Sequence, residues 1–157
     1  MVKISIRGGT KNTQKLVRSI AEYSADLLMG SRLADKVSVR INLKDDLCKK
    51  HGVLGSCVWE DDNLCPREFR IDIDTRQSMK NIVTTVAHEM VHVKQFAKRE
   101  MVDLISLQKI KWQGKRIDDD KLDYYDMPWE IEAHGREVGL YNRWRLDMGI
   151  TDRILRK

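Results

Sequence analysis

Residues 75–99 read TRQSMKNIVTTVAHEMVHVKQFAKR. Met79, Ile82, Val83, Val86, Met90, Val93 and Ala97 recur at three- and four-residue spacing, which makes one apolar stripe of an amphipathic helix. Thr75 or Ser78 supplies an N-cap, and the helix is expected to run to about Arg99. A second line, Thr85, His88, His92 and Gln95, lies off that stripe. At about 100° per residue, His88 stands roughly 200° from both Val86 and Met90. Within the line sits His88-Glu89-Met90-Val91-His92. Two imidazoles one turn apart project from the same side of a helix and can reach one metal ion. Glu89 turns aside from them, where it can take a proton from a metal-bound water. Histidines buried only for packing belong within the apolar stripe, not beside it.

Upstream, the pattern is strand, helix, then strands. Val2, Ile4 and Ile6 alternate with polar residues and predict a short strand over 2–6. Asn12 or Thr13 caps a helix whose apolar positions are Leu16, Val17, Ile20, Leu27 and Leu28, and Gly30 stops it. Val37, Val39, Ile41 and Leu43 alternate with Ser38, Arg40 and Asn42 as a half-buried strand. Lys49-Lys50-His51-Gly52 reads as a turn. A second strand follows over Val53–Trp59, in which Gly55 suggests a bulge. Asp61-Asp62-Asn63 reads as another turn, and Phe69, Ile71 and Ile73 give a third strand. The short connections favour antiparallel pairing.

Downstream, residues 101–126 are less regular. They hold an apolar patch over Val102–Leu107, the basic stretch KIKWQGKR (109–116) and the acidic DDDKLD (118–123). A last helix starts near Pro128, a residue suited to the first turn, and runs to about Met148, with Gly149 closing it.

The whole chain has 157 residues, 41% hydrophobic and 34% charged, enough for one domain with a core and too ordered in composition for a low-complexity chain. No apolar run approaches a membrane span and no signal peptide is evident, so no membrane partner is expected. Three cysteines, Cys48, Cys57 and Cys65, are an odd count that fits a reducing, cytoplasmic compartment better than a disulfide framework. With His51 they could suggest a second zinc site, but the spacing matches no common structural one. The net charge of +5 permits an acidic partner without requiring one.

A zinc site with two histidines needs a third protein ligand. The extension H-E-x-x-H-x-x-G-x-x-H is excluded, because Gln95 and Lys98 stand where Gly and His are needed. The remaining candidates lie in Asp126-Met-Pro-Trp-Glu-Ile-Glu-Ala-His134: Glu130, Glu132 or His134. Glu130 and His134 share a helix face; Glu132 is about 200° round from Glu130.

An H-E-x-x-H helix followed by a helix carrying Glu130-x-x-Ala133-His134 resembles the gluzincin type of zincin metallopeptidase. The likeness is to small members such as ImmA/IrrE-like and SprT-like domains and compact H-E-x-x-H proteins of phage genomes. It covers the helix from Thr75, the last helix and the strand–helix order before them. It implies Zn2+, one per chain, held by His88, His92 and Glu130, with Glu89 as general base in peptide-bond hydrolysis. His134 stands where an acid or amide is more usual, either supporting the site or acting as the ligand in place of Glu130, as in SprT-like domains. The resemblance implies an α+β zincin-like fold: a small, mainly antiparallel sheet against an N-terminal helix and the H-E-x-x-H helix, with the C-terminal helix completing the metal site. It also implies a strand edge that pairs with a peptide substrate, for which Val53–Trp59 and Phe69–Ile73 are candidates. For a phage-encoded protein the compartment would be the host cytoplasm. Tyr124 or Tyr125 could donate to an oxyanion, or simply pack the loop.

Two alternatives accompany a protein or peptide substrate. A DNA-associated protease needs a nucleic-acid surface, for which Lys109, Lys111, Trp112, Lys115 and Arg116 are the best cluster, weakened by Asp118–Asp120 beside it. A zinc-stabilised regulatory domain would keep the metal and cleave nothing, but such a site has no need of Glu89.

Overall fold

Val39, Ile41, Leu43, Phe69, Ile71 and Ile73 are buried and pave the core face of a four-stranded sheet, with Ile4 and Ile6 packed beside them. The computed structural model describes residues 1–61, 65–104 and 109–156. Its main sheet comprises β1 (Lys3–Arg7), β2 (Ser38–Lys44), β3 (Gly55–Trp59) and β4 (Glu68–Asp74). The order across it is β1-β2-β4-β3. β1 pairs with β2 and β2 with β4 in parallel; β3 pairs with β4 antiparallel.

The fold is therefore α+β, but this sheet is mixed and not mainly antiparallel. The physical reason lies in the connections. Only β3 and β4 are joined by a short link that lets the chain fold straight back. Between β1 and β2 runs α1 (Lys11–Met29), a full crossover helix, and such a helix brings the next strand in parallel. Between β2 and β4 the chain passes through α3 (Leu47–His51) and β3, which leaves β4 inserted in the centre and β3 at the edge. The stretch read as a turn at Lys49–Gly52 is the end of α3, with Gly52 as its cap.

Thr10, ahead of the two residues expected, caps α1: its side chain accepts from the Thr13 N–H. Gly30 follows the helix, and a single turn, α2 (Ser31–Ala34), leads into β2. Ser78 caps α4 (Met79–Ala97) by accepting from the Asn81 N–H. α4 packs on β3 and β4, with α1 beside it and α5 (Pro128–Asp147) against it. Trp144 of α5 is fully buried and donates to Ser19 of α1 at 3.0 Å, tying the last helix to the first. A short α6 (Asp152–Leu155) ends the described chain. Apart from Leu47 of α3, the buried apolar residues form one core cluster.

Residues 101–117 are more regular than expected. β5 (Met101–Leu104), β6 (Lys109–Trp112) and β7 (Lys115–Ile117) form a separate antiparallel sheet. Gln113 and Gly114 join β6 to β7, both at positive φ, the two-residue turn that matches strand twist. Trp112 packs against Trp129 at the start of α5, with ring centroids 6.3 Å apart. Lys109 is ion-paired with Asp118 and Asp120. The expected aromatic of a nucleic-acid surface is thus used in packing, while Lys111, Lys115 and Arg116 stay exposed. Part of the apolar patch over 102–107 and part of the turn over 61–63 lie outside the described residues. Among the described residues no helix is long and apolar enough to cross a membrane.

The strand order has a direct readout. In hydrogen exchange, amides of the central β4 should all be slow, since each side of that strand is paired. Alternate amides of β3 should exchange fast. Uniform protection along 55–59 would show that β3 is not an edge.

Candidate metal centre

Every residue from Val86 to Ala97 is buried, because strands and helices enclose the second half of α4. Of the polar line read from the sequence, His88, His92 and Gln95 are buried and Thr85 is half-buried; Glu89 and Lys94, off that line, are buried too. Burying such groups is costly unless each finds a partner. Most of the partners come from α5, which Pro128 opens and whose first turn carries Glu130.

The Nε2 atoms of His88 and His92 lie 3.2 Å apart. Each is 3.4 Å from a carboxylate oxygen of Glu130. Three donors bound at 2.0–2.1 Å to a tetrahedral ion would stand about 3.3 Å from one another. The observed triangle has that size, and its three residues are buried. Glu130 Oε2 is itself buried with no hydrogen-bond partner, a costly state that a cation would relieve.

The outer nitrogens hold the rings in place. His88 Nδ1 lies 2.8 Å from Glu137 Oε2, and His92 Nδ1 lies 2.8 Å from Gln95 Oε1. Each acceptor takes an Nδ1–H, which leaves the Nε2 lone pairs aimed at the common point. Two imidazoles and a carboxylate suit a divalent transition ion better than Ca2+ or Mg2+. The residues present fit such an ion.

Gln95 is fully buried and its Nε2 donates to the Trp129 carbonyl at 2.9 Å and to Glu132 at 3.0 Å. Glu132 also meets Lys94 at 2.6 Å and Arg136 at 2.8 Å. Lys94, buried, reaches Glu100 at 2.5 Å as well. Glu132 is thus engaged away from the triangle. His134 lies on the opposite side of the His88 ring, 4.6 Å between centroids, with Nδ1 3.4 Å from Glu137. Of the three candidates, Glu130 is the one brought to both Nε2 atoms. The partner of His88 Nδ1 comes from Glu137, two turns beyond Glu130, and not from His134 one turn beyond.

A cleft of about 570 Å³ opens beside the triangle. The segment leading into β3, Gly52 to Gly55, forms one wall; Tyr124 and Tyr125 stand in another; Glu89 and His88 line it from α4. β4 is paired on both sides, so Phe69–Ile73 has no free edge, whereas no strand among the described residues pairs with the outer edge of β3. Gly55 is not a bulge, since its register with Ile73 is continuous. Its role is close approach. A Cβ there would lie 2.5 Å from Glu89 Oε1 and 2.6 Å from Thr85 Cγ2.

The electrostatics follow from burial and crowding. Burial raises the Glu89 carboxyl to about 7, with the two histidines opposing and Glu130 and Glu137 adding to the rise. Burial would lower His88, but the Glu130, Glu137 and Glu89 carboxylates outweigh it and raise it to about 9. His92 is raised by its Glu130 and Glu89 neighbours against the same burial. Glu130 would be raised by burial, yet the two histidines hold it far below the usual carboxylate range. Burial and the adjacent Glu130 push the Tyr124 phenol up, so it stays a proton donor. Burial and Glu89 also raise the Cys57 thiol. Cys48, His51, Cys57 and Cys65 join no metal-competent group among the described residues.

Glu137, Gln95 and Gly55 were not singled out from sequence as parts of a site. Glu137 follows Glu130 by seven residues, the two-turn repeat of one helix face. Gln95 stood on the polar line with His88 and His92. Gly55 had only its glycine to mark it. Comparison with protein-family models, curated proteins and solved structures finds no match for this chain.

Two outcomes are expected. Gln95→Ala should weaken metal binding about 10- to 100-fold, the usual effect of losing an outer partner of a histidine ligand, measured by chelator competition. Affinity should also rise with pH and level off above about 9, because the metal-free His88 keeps its proton up to that point and must give it up to bind.

Proposed function

We propose that the chain is a zinc-dependent metallopeptidase of zincin, gluzincin-like type that hydrolyses peptide bonds. The observation that carries this reading is the buried triangle of His88, His92 and Glu130 next to Glu89 and a cleft. His88, His92 and Glu130 would hold the ion, and Glu137 and Gln95 would orient the two histidines. When bound, zinc supplies Lewis-acid polarisation of a carbonyl and lowers the pKa of a water.

The remaining work falls to the chain's own groups. Glu89, which lines the cleft beside the triangle, would accept a proton from the attacking water. It then returns the proton to the leaving amine. The Tyr124 phenol, kept protonated, can donate a hydrogen bond to the charge that develops on the carbonyl oxygen. The outer edge of β3, which no strand among the described residues pairs with, runs into the cleft at Gly55, where its main-chain groups can pair with an extended peptide. This arrangement also speaks for an enzyme over a structural zinc domain, which needs neither a base nor an open cleft.

The test is metal content and peptide hydrolysis of purified variants. Wild type should hold about one zinc per chain, lost in Glu130→Ala and kept in His134→Ala. Glu89→Gln should keep zinc and lose at least about 100-fold in hydrolysis. His88→Ala and His92→Ala should lose both. Full hydrolysis by the Glu89→Gln protein would sink the mechanism.

A further inference from the structure

His88 has two faces, and only one belongs to the triangle. On the other face lie His134 and Glu137, which with His88 form a second group whose ligand atoms all fall within 4.8 Å of one another. His134 and Glu137 are three residues apart on α5, so their side chains project from one face of that helix. His134 Nδ1 stands 3.4 Å from Glu137 Oε2, again the spacing of two ligands on one transition ion. Both line the cleft, and neither is fully buried. Water can therefore complete a coordination shell there.

We propose that His134 and Glu137 form a second, weaker site for a divalent transition cation at the mouth of the cleft, filled after the first. The chemistry of the pair sets the class of ion. An imidazole nitrogen beside a carboxylate favours Zn2+ and its neighbours over Mg2+ and Ca2+. Its weakness has two causes. His88 Nδ1 spends its proton on Glu137, so the protein supplies two ligands in place of three. Glu137 is also shared, because the same oxygen that faces His134 accepts from His88. A cation there draws charge from the bond that orients His88, and it stands among His88, His134 and Tyr125 where a substrate would enter. Excess metal thus occupies the cleft mouth without displacing the first ion.

The inference rests on the metal-centre reading for its first equivalent, and the experiment separates the two. Zn2+ is titrated into metal-free protein by calorimetry, with the histidine ring nitrogens followed by 15N NMR. Wild type should take two equivalents, and the His134 signals should move only during the second. His134→Phe keeps a ring against His88, Tyr124 and Tyr125 and removes the nitrogens; it should bind the first equivalent as wild type does and need at least about tenfold more Zn2+ for the second. Glu137→Gln should weaken both. A single equivalent in wild type would overturn this inference and leave the metal centre standing. A second equivalent unchanged in His134→Phe would overturn it too and move that ion elsewhere, with Cys48→Ser as the next variant to titrate. No binding in wild type would overturn the inference and the metal-centre reading together.

Discussion

A helix buried on all sides can carry polar groups only if its neighbours answer each of them. α4 buries His88, Glu89, His92, Lys94 and Gln95 within eight residues. Any one of these left unpaired would cost several kcal/mol, comparable with much of a domain's net stability. α5 answers with three carboxylates, Glu130 in its first turn, Glu132 just after it and Glu137 two turns beyond Glu130. Glu130 faces both Nε2 atoms, Glu132 takes Lys94 and Gln95, and Glu137 takes His88 Nδ1. The docking of α5 on α4 is therefore an electrostatic fit as much as an apolar one. Glu130 Oε2, in the middle of the triangle, is left without a hydrogen-bond partner among the described residues.

The same constraint reaches the sheet. α4 lies against β3, and β3 can come close only because Gly55 has no side chain to meet Glu89 and Thr85. That contact sets Glu89 at the start of β3, an outer strand of the sheet. β4, inserted between β2 and β3, keeps the edge in place through continuous pairing from Gly55 to Trp59. Trp59 packs on Phe96 of α4, 4.7 Å between ring centroids, which pins the far end of the strand to the same helix. Edge strand and metal triangle are thus held by one element and cannot shift independently.

The sequence made some of this legible and hid the rest for identifiable reasons. The H-E-x-x-H line was visible because helical spacing is local, and Ser78, Pro128 and Gly149 marked helix ends through their own backbone preferences. Glu130 stands out only through its resemblance to the gluzincin Glu-x-x-Ala pattern; His134 shares its helix face, and only packing separates the two. Short links point to antiparallel pairing only for β3 and β4; between β1 and β2 a 19-residue helix intervenes, and those strands pair in parallel. Strand neighbours depend on which residues are buried on both faces, as Asp72 and Asp74 of β4 are, and alternation alone does not report that. The hairpin at 109–117 was read by its charges, while its two-residue turn at Gln113-Gly114 carried the structural signal.

Why should a buried carboxyl beside two histidines be tolerated at all? Glu89 gains little from its surroundings: burial raises it and two nearby carboxylates raise it further, with only the histidines in opposition. Without the histidines this would be a frustrated carboxyl, better replaced by an apolar residue of similar size. Its place beside Gly55 shows that the fold makes room for it at a cost, since a glycine in a strand forgoes side-chain packing. A group held in an unfavourable environment, with a second residue spared to hold it, supports the role proposed for Glu89 above. The neighbouring polar residues behave differently: Gln95 and Lys94 are fully partnered, and they stiffen the frame around a carboxyl that is left free to exchange its proton.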